Sequence, residues 1–262
     1  MPLDVELDYN FPRYNPNPED MEMLHAMAHA VKEHKADVAL GFDGDGDRFG
    51  LVDEQGAIRT PDEILLLLAR DVLSRNAGTS VVFTVSNSSI LDSEVRKLGG
   101  VPVMCKVGHS FVEHAMKKAH ALIGGEQSGH FFCFENYYHF DDALMAALHD
   151  VKIRNQEKKP ISQIFSEFPT VFSEHEIRPY CPDDKKKMIV DAVISHFKKD
   201  FPVNDLDGAR IDFGDGAWAG IRMSNTSPKL SICMEARTEE KLEEVKTTVM
   251  DHMKTYPEIV WE

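Results

Sequence analysis

Apolar residues recur along the chain with two periods. Residues 36–42, 81–85, 101–107 and 121–123 are short apolar runs with the length and character of strands. The run at 36–42 reads as a buried strand of a parallel sheet, because both of its faces are apolar. Between the runs, apolar positions fall at helical spacing over 19–35, 64–73 and 90–98. Thr60-Pro61-Asp62-Glu63 is a capping box, with Thr60 as N-cap, Pro61 at the first helical position and Glu63 reaching back. Ser110 and Glu113 predict a second box, opening a helix to His120. One hairpin is expected from 49–54 and 57–59, turning at Gln55-Gly56, and another from 130–135 and 137–140 before a helix over 141–153. Alternating strands and helices argue for α/β architecture with parallel strands.

After Pro169 the pattern becomes strand (171–178), helix (183–199), three strands (210–213, 218–223, 230–236) and helix (239–256). That order predicts a small α+β domain with an antiparallel sheet. Residues 1–18, rich in Pro and Asn, read as extended loop, and 155–160 as a polar turn between helices. No internal repeat or low-complexity segment is visible.

With 262 residues the chain can hold one to three domains. Its formal net charge of −15 argues against a nucleic-acid partner. The one basic run, Lys185-Lys186-Lys187, reads as the solvated face of a helix. Cys105, Cys133, Cys181 and Cys233 show no paired spacing, so reduced buried thiols are expected rather than disulfides or a zinc site. The N-terminus lacks an apolar signal core, and the apolar run 64–69 is too short to span a bilayer. A soluble cytoplasmic protein with no membrane partner is the expectation.

Chemistry concentrates at Asp43-Gly44-Asp45-Gly46-Asp47-Arg48, directly after the first predicted strand. Strand ends are where α/β folds place ligands. Glycines between the aspartates let three carboxylates converge, and their mutual repulsion asks for a hard cation: Mg²⁺, Mn²⁺ or Ca²⁺. An EF-hand shares the spacing to Glu54, but it needs Gly where Arg48 stands and a helix in front. An aspartyl phosphatase would use Asp43 as nucleophile and Asp45 as acid, with Asp47 departing from its usual Thr or Val.

Gly125 to His130 gathers a carboxylate, an amide, a hydroxyl and an imidazole on a flexed loop, which suits a polyol such as a sugar. Gly108-His109-Ser110 opens a helix, with backbone N–H groups facing an anion or, more plainly, with Ser110 as N-cap. Arg222, Ser224, Asn225 and Thr226 offer a guanidinium fork, two hydroxyls and an amide on a strand-to-strand loop, a phosphate cradle without a helix dipole. Walker A, dinucleotide, HExxH and nucleophile-elbow motifs are absent from the sequence, and nothing in it suggests a nucleotide cofactor.

The order Asp43 to Arg48, Lys106 to Ser110, Gly125 to His130 and Arg222 to Thr226 resembles the α-D-phosphohexomutase family, with its phosphomannomutase/phosphoglucomutase branch nearest. The resemblance covers essentially the whole chain. It implies two α/β/α mixed-sheet domains, the first partial, followed by the small α+β domain, with boundaries at 1–58, 59–169 and 170–262. It implies Mg²⁺ on Asp43, Asp45 and Asp47, with Arg48 and His109 in catalytic positions beside the reacting phosphate and sugar. Glu126, Gln127, Ser128, Gly129 and His130 would bind the sugar; Arg222, Ser224, Asn225 and Thr226 would bind the non-transferring phosphate.

The implied reaction interconverts hexose 1-phosphate and 6-phosphate of mannose or glucose through a bisphosphate, using an enzyme phosphoserine. The family's Ser-His-Asn-Pro pattern is missing here; Ser195-His196 continues into Phe197. Residues 11–18 resemble the middle of the family's second domain. A fragment without the phosphoserine, inactive alone and lacking the phosphate ligand to its metal, is therefore expected. Gln127 also resembles phosphoglucosamine mutases, and Ser86 stands where some members carry lysine. A non-catalytic sugar-phosphate binding module is the remaining alternative.

Overall fold

The structure is a computed structural model that describes residues 1–3, 8, 10–174 and 176–261. Parts of the loop expected over 1–18 and of the strand expected over 171–178 (residues 4–7, 9 and 175) lie outside the described residues. Two compact units emerge: the first is residues 1–87, 91–104 and 108–169, and the second is 88–90, 105–107 and 170–262.

The first unit opens with α1 (Met21–His34), whose N-cap Asp20 accepts from Glu22 N–H at 2.8 Å. Strands β1 (Val38–Phe42), β2 (Phe49–Asp53) and β3 (Ile58–Arg59) form an antiparallel sheet in that order. The parallel-sheet expectation for 36–42 is thus corrected. β1 pairs antiparallel with β2, and only Gly41 among its residues is buried. An apolar run signals two covered faces but says nothing about the direction of its neighbour; here the acidic loop 43–48 closes a hairpin.

α2 (Pro61–Arg75) carries the predicted capping box, with both halves formed. Residues 64–69 are buried on every side, as expected of a helix covered all round. Beyond it come β4 (Ser80–Thr84), α3 (Ser89–Lys97), β5 (Val101–Cys105), α4 (His109–Ala119), β6 (Ile123–Gly125), β7 (Phe131–Cys133), α5 (Ala143–Glu157) and α6 (Ile161–Phe165). The strands order as β5-β4-β6-β7, with β4 and β6 parallel and β7 antiparallel to β6. This is the mixed sheet expected of the architecture.

Two local expectations fail here. Ser110 does not cap α4: the cap is Gly108, whose N–H donates to Glu126 Oε1 at 2.7 Å, leaving Ser110 exposed inside the first turn. Glu126, eighteen positions away, thus anchors the cap residue itself, and among the described residues no side chain caps the first turn. Residues 137–140 form no strand either. Their aromatic rings pack on each other, Tyr138 edge-on to Tyr137 and stacked with Phe140, and β7 pairs with β6 across the loop 126–130 instead.

In the second unit, β8 (Phe172–Ser173), α7 (Asp183–Phe197), β9 (Val203–Asn204), β10 (Ala209–Gly214), β11 (Ala217–Met223), β12 (Leu230–Ala236) and α8 (Glu239–Met253) build an antiparallel sheet ordered β8-β12-β11-β10-β9. The strand expected over 171–178 shrinks to two residues, and pairing with β12 resumes at Ile177. Ile189, Val193, Ile211, Ala219, Ile221, Ile232, Val245 and Val249 are fully buried between this sheet and the two helices. The solvated reading of the lysine run is corrected in part: Lys186 is buried, whereas Lys187 is exposed. All four cysteines are free and buried. Among the described residues no helix is long and apolar enough to cross a membrane.

Candidate functional site

In the first unit, the hairpin loop between β1 and β2 wraps around Asp43. Its Oδ1 accepts from the N–H groups of Gly46 at 3.0 Å and Arg48 at 3.1 Å, and Oδ2 accepts from Arg48 Nε at 2.7 Å. Burial would raise the Asp43 pKa, but hydrogen bonds from Arg48 and Asp47 and the Arg48 charge hold it below the ordinary carboxylate value. Arg48 is itself oriented, with Nη1 donating to Asn17 Oδ1 at 3.1 Å and to Glu19 Oε2 at 3.4 Å. One oxygen each of Asp43, Asp45 and Asp47 lies within 4.8 Å of the others. Asp47 pays for this proximity: burial, its hydrogen bond with Asp43 and the charges of Asp43, Asp45 and Asp141 push its pKa up to about 6. Three hard oxygen donors, whose combined charge Arg48 offsets only in part, fit a divalent cation of the magnesium or manganese kind.

The second polar loop, 126–130, lies directly against the first. Phe49 N–H donates to Gly129 O at 3.0 Å, and Arg48 bridges to His130. Gly129 has φ +95, and a Cβ there would stand 3.1 Å from Phe49 O, so glycine keeps the loops in register. His130 Nε2 is 3.5 Å from Asp47 Oδ2, while Nδ1 shares a 2.8 Å hydrogen bond with Ser128 Oγ and lies 3.6 Å from Glu126 Oε2. Burial, aided by the Arg48 and His109 charges and opposed by Asp141 and Asp43, lowers the His130 pKa. The lowered pKa favours the neutral ring, in which one nitrogen can accept a hydrogen bond. The ring of His109 stacks on it at 5.9 Å, with Nδ1 3.8 Å from Asp141 Oδ2. Glu126 is buried, whereas Gln127 and His109 are exposed. Ser86 is buried, with its N–H donating to Thr84 Oγ1 at 3.4 Å.

The second unit holds the remaining constellation. Arg222, the penultimate residue of β11, has Nε buried and without a hydrogen-bond partner, while Nη1 donates to Met223 O at 3.4 Å and Nη2 lies 4.0 Å from Glu176 Oε1. Past it the chain turns through 224–229 to β12. Ser224 is buried, its hydroxyl 2.8 Å from Ser227 Oγ and 3.4 Å from Arg178 Nη2. Asn225 and Thr226 are exposed. An oxyanion at this loop can therefore meet the exposed Asn225 amide and Thr226 hydroxyl, and a guanidinium that the fold engages only at long distances.

Four residues near these loops were not singled out from sequence. Asn17 and Glu19 hold Arg48, Asp141 faces His109, and Arg178 adds a second guanidinium beside Ser224. Each is a single polar residue outside a motif, so only the folded chain reveals its neighbour.

Three family models match the chain in order. "Phosphoglucomutase/phosphomannomutase, alpha/beta/alpha domain II" covers residues 1–56, "alpha/beta/alpha domain III" covers 60–172, and "C-terminal domain" covers 176–252. A phosphomannomutase/phosphoglucomutase of Pseudomonas aeruginosa is 40% identical over 255 residues, spanning 97% of this chain and 55% of the relative. A phosphoglucomutase of Neisseria gonorrhoeae is 35% identical, spanning 99% of this chain and 56% of the relative. The crystal structure of a phosphoglucomutase/phosphomannomutase family protein from Burkholderia thailandensis superposes with a TM-score of 0.88 at 32% identity, covering 95% of this chain and 53% of that one. The chain thus spans about half the length of these relatives. With three successive domains matched in family order, it belongs to the phosphoglucomutase/phosphomannomutase family of α-D-phosphohexomutases.

Proposed function

We propose that this chain carries the metal-, sugar- and phosphate-binding elements of a phosphohexomutase that interconverts the 1- and 6-phosphates of mannose or glucose through a bisphosphate. The observation that carries this reading is the coupling of the two loops of the first unit. The Phe49 N–H to Gly129 O bond sets a cluster of hard carboxylate oxygens against side chains suited to sugar hydroxyls. The relatives' names point the same way.

In this reading Asp43, Asp45 and Asp47 hold Mg²⁺, which when bound neutralises charge developing on a phosphoryl group. Arg48 faces the same phosphoryl oxygens. Glu126 and Ser128 take sugar hydroxyls, with Gln127 and Gly129 shaping the loop, and His109 and His130 hold or release a proton at the reacting hydroxyl. Arg222, Asn225 and Thr226 grip the non-transferring phosphate, while Ser224, tied to Ser227 and Arg178, shapes the turn. The three functional segments are 1–58, 59–169 and 170–262. The aspartyl phosphatase reading is disfavoured: the Asp43 side chain is 1% exposed and both of its oxygens accept hydrogen bonds, which leaves lone pairs for a cation but fixes the carboxylate against attack on phosphorus.

Mn²⁺, a spectroscopic stand-in for Mg²⁺, tests the metal part. Electron paramagnetic resonance titration should show a site in the chain that the double variant Asp45→Asn/Asp47→Asn weakens by at least about tenfold. Equal binding by both proteins would refute the assignment.

A further inference from the structure

Beneath the loop 224–227 lies a buried lysine. Lys186, in the first turn of α7, is 8% exposed. Its Nζ donates to Ser224 O at 2.9 Å and to Ser227 O at 3.0 Å, and lies 2.6 Å from Asp183 Oδ1. An ammonium has three donors and no acceptor, so these three oxygens account for all of them. The Asp183 side chain is 73% exposed, which leaves the two loop carbonyls as the partners screened from water. Neighbouring Lys187 projects into solvent and pairs with Asp191. Of the run's members, Lys186 is the one bound to the loop.

The consequence follows from the peptide group. A trans peptide is planar, with C=O and N–H pointing in opposite directions. Turning Ser224 C=O inward onto Lys186 aims the N–H of the same peptide, that of Asn225, outward, where the Asn225 and Thr226 side chains are exposed. A cation on the carbonyl also polarises that N–H and strengthens it as a donor. We propose that Lys186 is a positioning residue: it holds the Ser224 and Ser227 carbonyls and so presents the Asn225 N–H as a backbone donor to a phosphate oxygen. The ammonium acts from behind and touches no ligand. This inference rests on the phosphate-binding reading of the loop.

The test uses the ¹⁵N-labelled chain titrated with glucose 1,6-bisphosphate, as wild type, Lys186→Met, Lys186→Arg and Arg222→Ala. Lys186→Met should raise Kd by about tenfold or more and abolish the ligand-induced shift of the Asn225 amide, whereas Lys186→Arg restores most of both. Wild-type affinity together with an unchanged Asn225 shift in Lys186→Met would overturn the proposal. If neither wild type nor Arg222→Ala binds, the phosphate reading is what fails. Amide hydrogen exchange over 224–229 then decides the positioning role by itself. Exchange about tenfold faster in Lys186→Met upholds it and unchanged exchange overturns it. Should Lys186→Met not fold, Lys186→Ala, which likewise removes every donor, is judged by the same criteria.

Discussion

Asp150 lies on α5 with no solvent exposure, and neither carboxylate oxygen has a hydrogen-bond partner. Burial, with a smaller contribution from the Asp71 charge, raises its pKa well above the ordinary value, so the native state favours the protonated form. The sign of the linkage follows. With the native pKa above the unfolded one, stability from the acid form is complete below about pH 4 and is lost as pH rises toward the native value. Asp150→Asn removes that titration, so its stability relative to wild type should grow as pH rises from 5 to 7. Urea denaturation at both pH values checks this, and a pH-independent difference would contradict it. A lone aspartate at a helical position does not announce burial in sequence, and the same holds for Lys186. The candidate site residues stood out more readily, because Asp43, Asp45, Asp47, Glu126, His130 and Arg222 each sit in a short polar motif.

At the scale of elements, helices and their caps were the most legible features: the capping box at Thr60 and the limits of α7 and α8 came close to expectation. Strand direction was not legible, since β1 looks alike in parallel and antiparallel settings. The α4 cap also escaped, because its partner Glu126 is remote in sequence. The same dependence on remote neighbours makes Gly208 sensitive. It has φ +87, and a Cβ there would press on Ile221 O and come within 2.9 Å of the Arg222 Cα. Gly208→Ala should therefore cost roughly 1–3 kcal/mol of stability and weaken phosphate binding by displacing Arg222. Alanine tolerated with no change in unfolding midpoint or phosphate affinity would show that β11 yields without consequence.

On the scale of the whole molecule, the order of the motifs along 262 residues was enough to indicate the family. How the loops 43–48 and 126–130 meet was not contained in that order; it needed the β6–β7 pairing that carries Gly129 to Phe49. The chain spans about half the length of the relatives it matches, and no Ser-His-Asn-Pro pattern occurs in it. The proposed function predicts that these residues bind hexose phosphates without turning them over. Conversion of mannose 1-phosphate to mannose 6-phosphate by the purified chain should remain at background, and any rate above that would show a phosphoryl donor within these residues.

The central claim, that these loops are built to grip a phosphorylated hexose, is tested most directly by calorimetry. Glucose 1,6-bisphosphate is titrated with Mg²⁺ present into the chain and into Arg222→Ala. The account predicts saturable binding that Arg222→Ala weakens by at least about tenfold, or about 1.4 kcal/mol. Binding that is indifferent to Arg222, or no binding by the wild-type chain, would contradict it.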